Sequence, residues 1–224
     1  MSESKTDRLY WHVAGSTDIG GGSENQDDML IWENKSHDIC IIGIVDGHGR
    51  DVGKTASRSA VKCLTEYFDR HFEELFSSPY QCLVNAMKYA HNGVKEGFME
   101  VLRRQGWEVN LTVEGYLVKR KKANTAWLCV HGGTSCSLVA LVGTQLYIAN
   151  VGDSSGILCS TDASLSHSVI EELGDAAVSP AADPLLASAK EVLSPAPTDT
   201  IVLTAEHSPE SPYEFLRLRS FKSR

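Results

Sequence analysis

The sequence lacks any apolar run long enough to cross a membrane and any recognisable secretory signal. Residues 1–8 form a polar lead without an apolar core, and Ser2 excludes N-myristoylation. Six cysteines are scattered without a Cys-x-x-Cys pair, which argues against a zinc site or a disulfide framework and favours reduced thiols. We therefore expect a soluble cytoplasmic protein that makes no contact with membranes.

Positive charge is also scarce. Lys and Arg total 21 against 29 Asp and Glu, which gives a net charge of -8 and makes a nucleic-acid partner unexpected. The one basic run, KRKK at residues 119–122, could direct nuclear import, but a solvated turn is the favoured interpretation. The nucleus is therefore a second possible compartment. The 224 residues are 42% hydrophobic and 22% charged, as in a globular domain with a sizeable core.

Hydrophobic periodicity predicts an α+β fold in which strands and helices form separate blocks. Strands are expected at residues 9–16, 29–32, 38–45 and, with hairpin-like turns, 128–159. Two amphipathic helices are expected between the strands at 38–45 and 128–159. The first is expected to have Asp51 at its start and to end near Phe76. The second is expected to have Ser78 as its N-cap residue and Pro79 as its first helical residue.

The region 160–200 has a different character, because it is rich in Ala, Ser, Pro and Asp and has little periodicity. It is predicted to be a flexible insert. A short strand over 200–204 and a helix over 214–219 are expected after it.

The predicted strand 38–45 is followed by the segment Asp46-Gly47-His48-Gly49, which carries a carboxylate and an imidazole. A carboxylate can bind a hard cation, a glycine lets the backbone carbonyl approach the same ion, and an imidazole titrates near neutral pH. Asp-Gly is also ordinary turn chemistry, so these residues alone leave a plain strand exit equally open.

Two further segments add to this one. Asn25-Gln26-Asp27-Asp28 leads into the strand at 29–32, and Gly133-Thr134-Ser135 leads into apolar strands that end Ala-Asn-Val-Gly-Asp-Ser at residues 149–154. The three segments, in this order, resemble the metal-dependent protein serine/threonine phosphatases of type 2C. The resemblance covers residues 15–158.

The resemblance implies a four-layer α-β-β-α sandwich, with residues 9–224 forming a partial phosphatase domain. It implies two Mg²⁺ or Mn²⁺ ions that activate a bridging water against phosphoserine or phosphothreonine of protein substrates. Asp46 would bridge the ions, the Gly47 carbonyl would bind one, and Asp27 would hold water bound to a metal. Asp153 would belong to an additional metal site, and His48 would be the general acid that protonates the leaving oxygen.

The sequence departs from the family pattern in ways that bear on activity. Gly22 stands where an arginine usually contacts the substrate phosphate, so no residue is assigned to substrate binding. The last two metal ligands of the family, in Asp-Gly and Asn-Asp elements, have no counterpart, because Asp46-Gly47 is the sole Asp-Gly and no Asn-Asp occurs. We therefore expect a C-terminally incomplete domain with impaired hydrolysis. The alternative is a non-catalytic pseudophosphatase that binds phosphoproteins or signalling partners.

Overall fold

The computed structural model describes residues 11–159, 200–204, 207 and 211. The chain divides into two units, Met1–Ser154 and Ser155–Arg224, which are treated separately below. Among the described residues, no helix is both long enough and apolar enough to span a bilayer.

The first unit is a mixed α+β structure with antiparallel sheets. Its strands are β1 (Asp28–Asn34), β2 (Ile39–Val45), β3 (Gly47–His48), β4 (Glu108–Leu111), β5 (Leu117–Arg120), β6 (Leu128–Cys129), β7 (Gly133–Thr134), β8 (Cys136–Val142) and β9 (Gln145–Val151). Its helices are α1 (Gly53–His71), α2 (Glu74–Ser77) and α3 (Pro79–Arg104), with a 3₁₀ turn at Lys35–His37.

The main sheet has four strands in the order β1-β2-β8-β9, all antiparallel to their neighbours. Residues on a strand alternate between the two faces of the sheet. One face packs against α1 and α3 to form the core, which includes Leu30, Ile41, Leu64, Phe68, Leu83 and Leu138.

The opposite face of this sheet is apolar but open. Ile31, Ile42 and Ile44 point away from the helices and are 36–49% exposed. Leu146 of β9, which pairs with Leu141, adds to the same face. A branched aliphatic surface of this kind is suited to packing against another layer.

Several predicted elements are present with shifted ends. β1 contains the strand expected at 29–32, and β2 agrees with the strand expected at 38–45 except that it begins one residue later. α3 begins at Pro79 after Ser78, as predicted. Ser78 makes no side-chain capping hydrogen bond, however. The first helix ends at His71 and not near Phe76, and the short helix α2 (Glu74–Ser77) follows it.

Two predictions about the first unit are wrong. Residues 11–16 form no strand; Trp11 instead donates a side-chain hydrogen bond to Glu33. Asp51 does not cap α1, because Val52 is the N-cap residue and the Asp51 carboxylate pairs with Lys119 at 3.0 Å.

The basic run at 119–122 is a solvated bend only at Lys121 and Lys122, which are exposed. Lys119 and Arg120 belong to β5, in a sheet of order β4-β5-β6 that the periodicity did not reveal. Lys119 is 9% exposed and lies over the Trp107 ring, so its stem covers apolar surface while its ammonium meets Asp51.

In the second unit, β10 (Ile157–Cys159) pairs antiparallel with β11 (Thr200–Val202). This agrees with the strand expected at 200–204. The predicted insert, apart from Thr200, and the predicted helix at 214–219 lie outside the described residues.

The cysteines of the described residues are all free thiols. Cys40, Cys82 and Cys136 are buried, as predicted, whereas Cys129 and Cys159 are exposed. Burial raises the pKa of the Cys136 thiol to about 12, so this thiol stays protonated at neutral pH.

Candidate metal and phosphate site

The site begins where β2 ends and the chain turns into β3. The Asp46 backbone carbonyl accepts hydrogen bonds from the Thr134 hydroxyl at 2.8 Å and from the Ser135 N–H at 2.9 Å. β3 pairs with β7, so Gly47 lies opposite Thr134 and His48 opposite Gly133. A single distant segment, residues 133–135, thereby holds the backbone around Asp46 in one position.

Gly47 is required for close packing at this strand end. A Cβ atom at residue 47 would lie 2.4 Å from the Gln26 carbonyl oxygen and 2.5 Å from that of Gly53. Both obstacles are backbone atoms, which cannot move aside as a flexible side chain can. Gly49 adds a second constraint, since its φ of +122° is a conformation that favours glycine.

Carboxylates converge on Asp46. Partial burial, the negative charge of Asp27 and a side-chain hydrogen bond with Asp27 raise the pKa of Asp46 above its ordinary value. The charge of Asp153 adds to this effect, and His48 opposes it. The structure therefore places Asp27, Asp153 and His48 within electrostatic range of Asp46.

Asp153 is positioned by a small network of hydroxyl and amide groups. The Ser135 and Ser154 hydroxyls lie 2.5 Å apart, and the Ser137 hydroxyl donates to the Ser154 carbonyl at 3.1 Å. Ser137 also bonds the Asn150 side chain. The loop that carries Asp153 is thus tied to the start of β8, beside the end of β2.

The segment that carries Asp27 is held against the start of α1. Glu24 pairs with Lys54 at 2.7 Å, and the Gln26 amide donates to the Gly49 carbonyl at 3.1 Å. The Asn25 side chain accepts a hydrogen bond from the Asp27 N–H. Gln26 therefore has a positioning role that its place in the sequence did not indicate.

Gly22, which stands where the family has arginine, lies in a turn closed by a hydrogen bond from its N–H to the Ile19 carbonyl. A Cβ atom at this position would make ordinary contacts only. The local backbone thus does not require glycine here.

An open cleft of about 450 Å³ adjoins the site, and His48 lines it. Arg50 and Lys119 supply its positive charge, and Val52, Leu128 and Val130 supply apolar walls. Arg50 and Lys119 were not predicted as site residues. Arg50 had a signal in the sequence, as a cation two residues after His48, but Lys119 is brought there by the pairing of β4, β5 and β6.

The profile of the family described as Protein phosphatase 2C matches residues 14–179. The chain belongs to this family.

Relatives of this chain include two proteins with phosphatase names. The Probable protein phosphatase 2C 52 of Arabidopsis thaliana is 30% identical over 155 residues, which are 65% of this chain and 33% of the relative. Protein phosphatase 1L of Bos taurus is 28% identical over 171 residues, 73% of this chain and 41% of the relative. The chain thus spans about a third to two fifths of the length of these relatives.

Protein phosphatases 2C are metal-dependent, and the donor chemistry near Asp46 suits a hard divalent cation. Two carboxyl groups that interact directly, with a third nearby, bring together the oxygen ligands that Mg²⁺ and Mn²⁺ prefer. Within the part of the chain that the structure describes, however, no three His, Cys, Asp or Glu side chains are close enough to enclose an ion. The residues fit the chemistry of a metal site but supply few of its ligands.

Proposed function

We propose that this domain hydrolyses phosphoserine and phosphothreonine in proteins, in a metal-dependent reaction, and that the 224-residue chain does so slowly. The observation that supports the proposal is the strand end itself, where Asp46, Gly47 and His48 lie beside the charges of Asp27 and Asp153. A scaffold that only bound a partner would have no chemical need for this combination.

The finer architecture we propose is the four-layer α-β-β-α sandwich of the family. The open face of the main sheet supports this, because Ile31, Ile42 and Ile44 would be covered by a second sheet. The packed α1 and α3 helices would then be one of the two outer layers.

In the proposed site, the Asp46 carboxylate and the Gly47 carbonyl would hold divalent cations, with Asp27 and Asp153 beside them. A bound cation would lower the pKa of an attacking water and neutralise charge on the phosphoryl oxygens. The contribution of the chain is positional, since the hydrogen bonds from Thr134 and Ser135 fix the Asp46 backbone before any ligand arrives.

His48 would act on the leaving oxygen of the substrate. The imidazole lies close to Gly133, where a Cβ atom would be 3.1 Å from its Cε1 atom, so a larger residue at position 133 would require the ring to shift by a few tenths of an ångström. A proton held on this ring can pass to the serine or threonine oxygen as the P–O bond breaks, which avoids release of an alkoxide.

Slow turnover follows from the small number of ligands. The affinity of a hard cation rises with the number of carboxylates that bind it. The described residues offer Asp27, Asp46 and Asp153 without enclosing an ion, so we expect the site to be filled only at high cation concentration.

The proposal is tested by phosphate release from a phosphoserine peptide with millimolar Mn²⁺. We expect slow release that depends on Mn²⁺ and is lost in Asp46→Asn. Asp18→Asn is the matched control, because Asp18 lies outside the cluster and its Oδ1 atom accepts a hydrogen bond from Gly20 that an asparagine retains.

Equal release by the parent and Asp46→Asn would remove Asp46 from the mechanism. Tight phosphopeptide binding without release at any Mn²⁺ concentration would instead support the non-catalytic pseudophosphatase.

A further inference from the structure

We propose that the cleft beside His48 binds the substrate segment next to the phosphorylated residue, and that Arg50 selects an acidic side chain there. This inference rests on the proposed function. It names a specificity-determining residue and a class of substrate, peptides with Asp or Glu close to the phosphoserine or phosphothreonine.

The position of His48 indicates where the substrate chain lies. A general acid must face the leaving oxygen, and in a phosphoprotein that oxygen belongs to the serine or threonine side chain. The peptide therefore extends from the His48 side of the site. The cleft that His48 lines is on this side, and its volume of about 450 Å³ is in the range of ligand-binding clefts.

The charges of the cleft favour an anion. Lys119 is already paired with Asp51 at 3.0 Å, so these two charges offset each other. Arg50 is exposed and makes no hydrogen bond or ion pair within the described part of the chain. Its guanidinium is thus the cation of the cleft that remains available to a carboxylate.

The sequence spacing limits which substrate residue Arg50 can reach. Arg50 is two residues after His48, so their Cα atoms are at most about 7 Å apart. A bound peptide advances about 3.3–3.6 Å per residue. We therefore expect the selected acid one or two residues from the phosphorylated one.

The test compares two fluorescein-labelled phosphoserine peptides that differ only by Glu or Gln at the positions one and two residues away. Binding is measured by fluorescence anisotropy at 0.15 M salt. We expect the parent protein to bind the Glu peptide about fivefold more tightly, the scale of one solvent-accessible ion pair. The ratio should fall towards one at high salt.

Arg50→Gln should bring the ratio of the two dissociation constants to about one. Arg58→Gln is the matched control, since Arg58 is an exposed arginine on α1 that does not line the cleft, and its ratio should stay near five. Near-identical circular dichroism of the three proteins would establish that the substitutions leave the fold intact.

Equal affinity of the parent for both peptides, or no binding of either, would overturn the inference. Loss of the preference in Arg58→Gln as well as Arg50→Gln would overturn it too, because a general charge effect would then explain the result. Phosphate release separates this inference from the proposed function. Phosphate release without a preference for the Glu peptide would contradict only the role of Arg50. A preference for the Glu peptide without phosphate release would contradict only the proposed catalytic function.

Discussion

At the scale of single residues, the Asp46 carboxylate lies in an environment that disfavours its negative charge. Burial and the charges of Asp27 and Asp153 raise its pKa, which means that its ionised form is destabilised in the folded chain. Such a group is suited to receiving a cation, since the cation would relieve the same repulsion. The arrangement that favours cation binding therefore lowers the stability of the metal-free protein.

Replacing Asp46 by Asn should therefore stabilise the metal-free protein at neutral pH. After allowance for solvent screening we expect about 0.5 kcal/mol, or roughly 1–2 °C in Tm. Thermal unfolding in chelator, with Asp18→Asn as control, measures this difference. A lower Tm for Asp46→Asn at neutral pH would contradict the arrangement of charges described above.

The pH dependence of this difference has a defined sign. Below the ordinary pKa of 3.8, Asp46 is protonated in the folded and unfolded chains and contributes nothing. As pH rises towards the raised pKa of the folded chain, the unfolded chain loses its proton first, so the parent loses stability relative to Asp46→Asn. The difference in Tm between Asp46→Asn and the parent should appear as the pH rises above 3.8 and should persist at pH 7.

The role of His48 can be separated from binding by the choice of leaving group. His48→Gln should slow hydrolysis of phosphoserine peptides more than that of aryl phosphates, because an alkoxide needs a proton and a nitrophenolate does not. We expect a difference of about 10²-fold between the two losses. His91→Gln, an exposed histidine on α3, serves as control. Equal losses on both substrates would argue against a general acid at residue 48.

Gly47 should be among the least replaceable residues of the site. In Gly47→Ala the new Cβ would collide with two backbone carbonyls, which we expect to cost about 1–3 kcal/mol and to displace Asp46. Gly21→Ala is the matched control, because a Cβ there meets nothing within 4 Å. Denaturant unfolding measures the free energy of unfolding of both variants. Equal stability of the two variants would show that the strand end can relax.

At the scale of elements, β2 shows how one strand carries two surfaces. Ile41 is fully buried against the helices, whereas Ile44, three positions later, lies on the open face and is 49% exposed. Both positions are isoleucine, so residue type alone does not distinguish them. The two positions differ because side chains alternate between the faces of the strand and α1 and α3 cover only one of those faces.

Ile41→Thr and Ile44→Thr should therefore behave differently. We expect Ile41→Thr to lose about 2–4 kcal/mol, through lost apolar burial and a buried hydroxyl. Ile44→Thr should lose less than about 1 kcal/mol and should reduce binding of a hydrophobic dye and self-association. Urea unfolding and light scattering measure these effects. A large loss in Ile44→Thr would mean that the open face is packed in solution.

At the scale of the whole molecule, cation binding should be weak and measurable. A site with a dissociation constant near 10⁻³ M would, at 5 mM Mn²⁺, stabilise the chain by about 1 kcal/mol, or roughly 2–4 °C in Tm. Asp46→Asn should lose this shift and Asp18→Asn should keep it. A shift above about 10 °C in the parent would show a tight site completed by further ligands. An equal shift in all three proteins would exclude Asp46.

Much of this architecture was predictable from local patterns. The cores of β1 and β2, the start of α3 and the strands after Gly133 follow from alternation, helical spacing and Pro79, which act over neighbouring residues. Membership of the family was predictable because its segments are short, ordered and rich in polar residues at strand ends. The roles of Asp27, Asp46, Gly47, His48 and Asp153 remain predictions.

What the tertiary structure decided depends on residues far apart in the chain. Asp51 was expected to begin a helix but pairs with Lys119, which is 68 residues away and whose strand forms only when β4, β5 and β6 align. The meeting of Asp46 with Thr134 and Ser135 is equally non-local. The sequence by itself determined which residues are available for chemistry, because residue type and local periodicity are written in it. Their convergence was decided by pairing between strands that are far apart in the sequence, which patterns within a short stretch of sequence do not reveal.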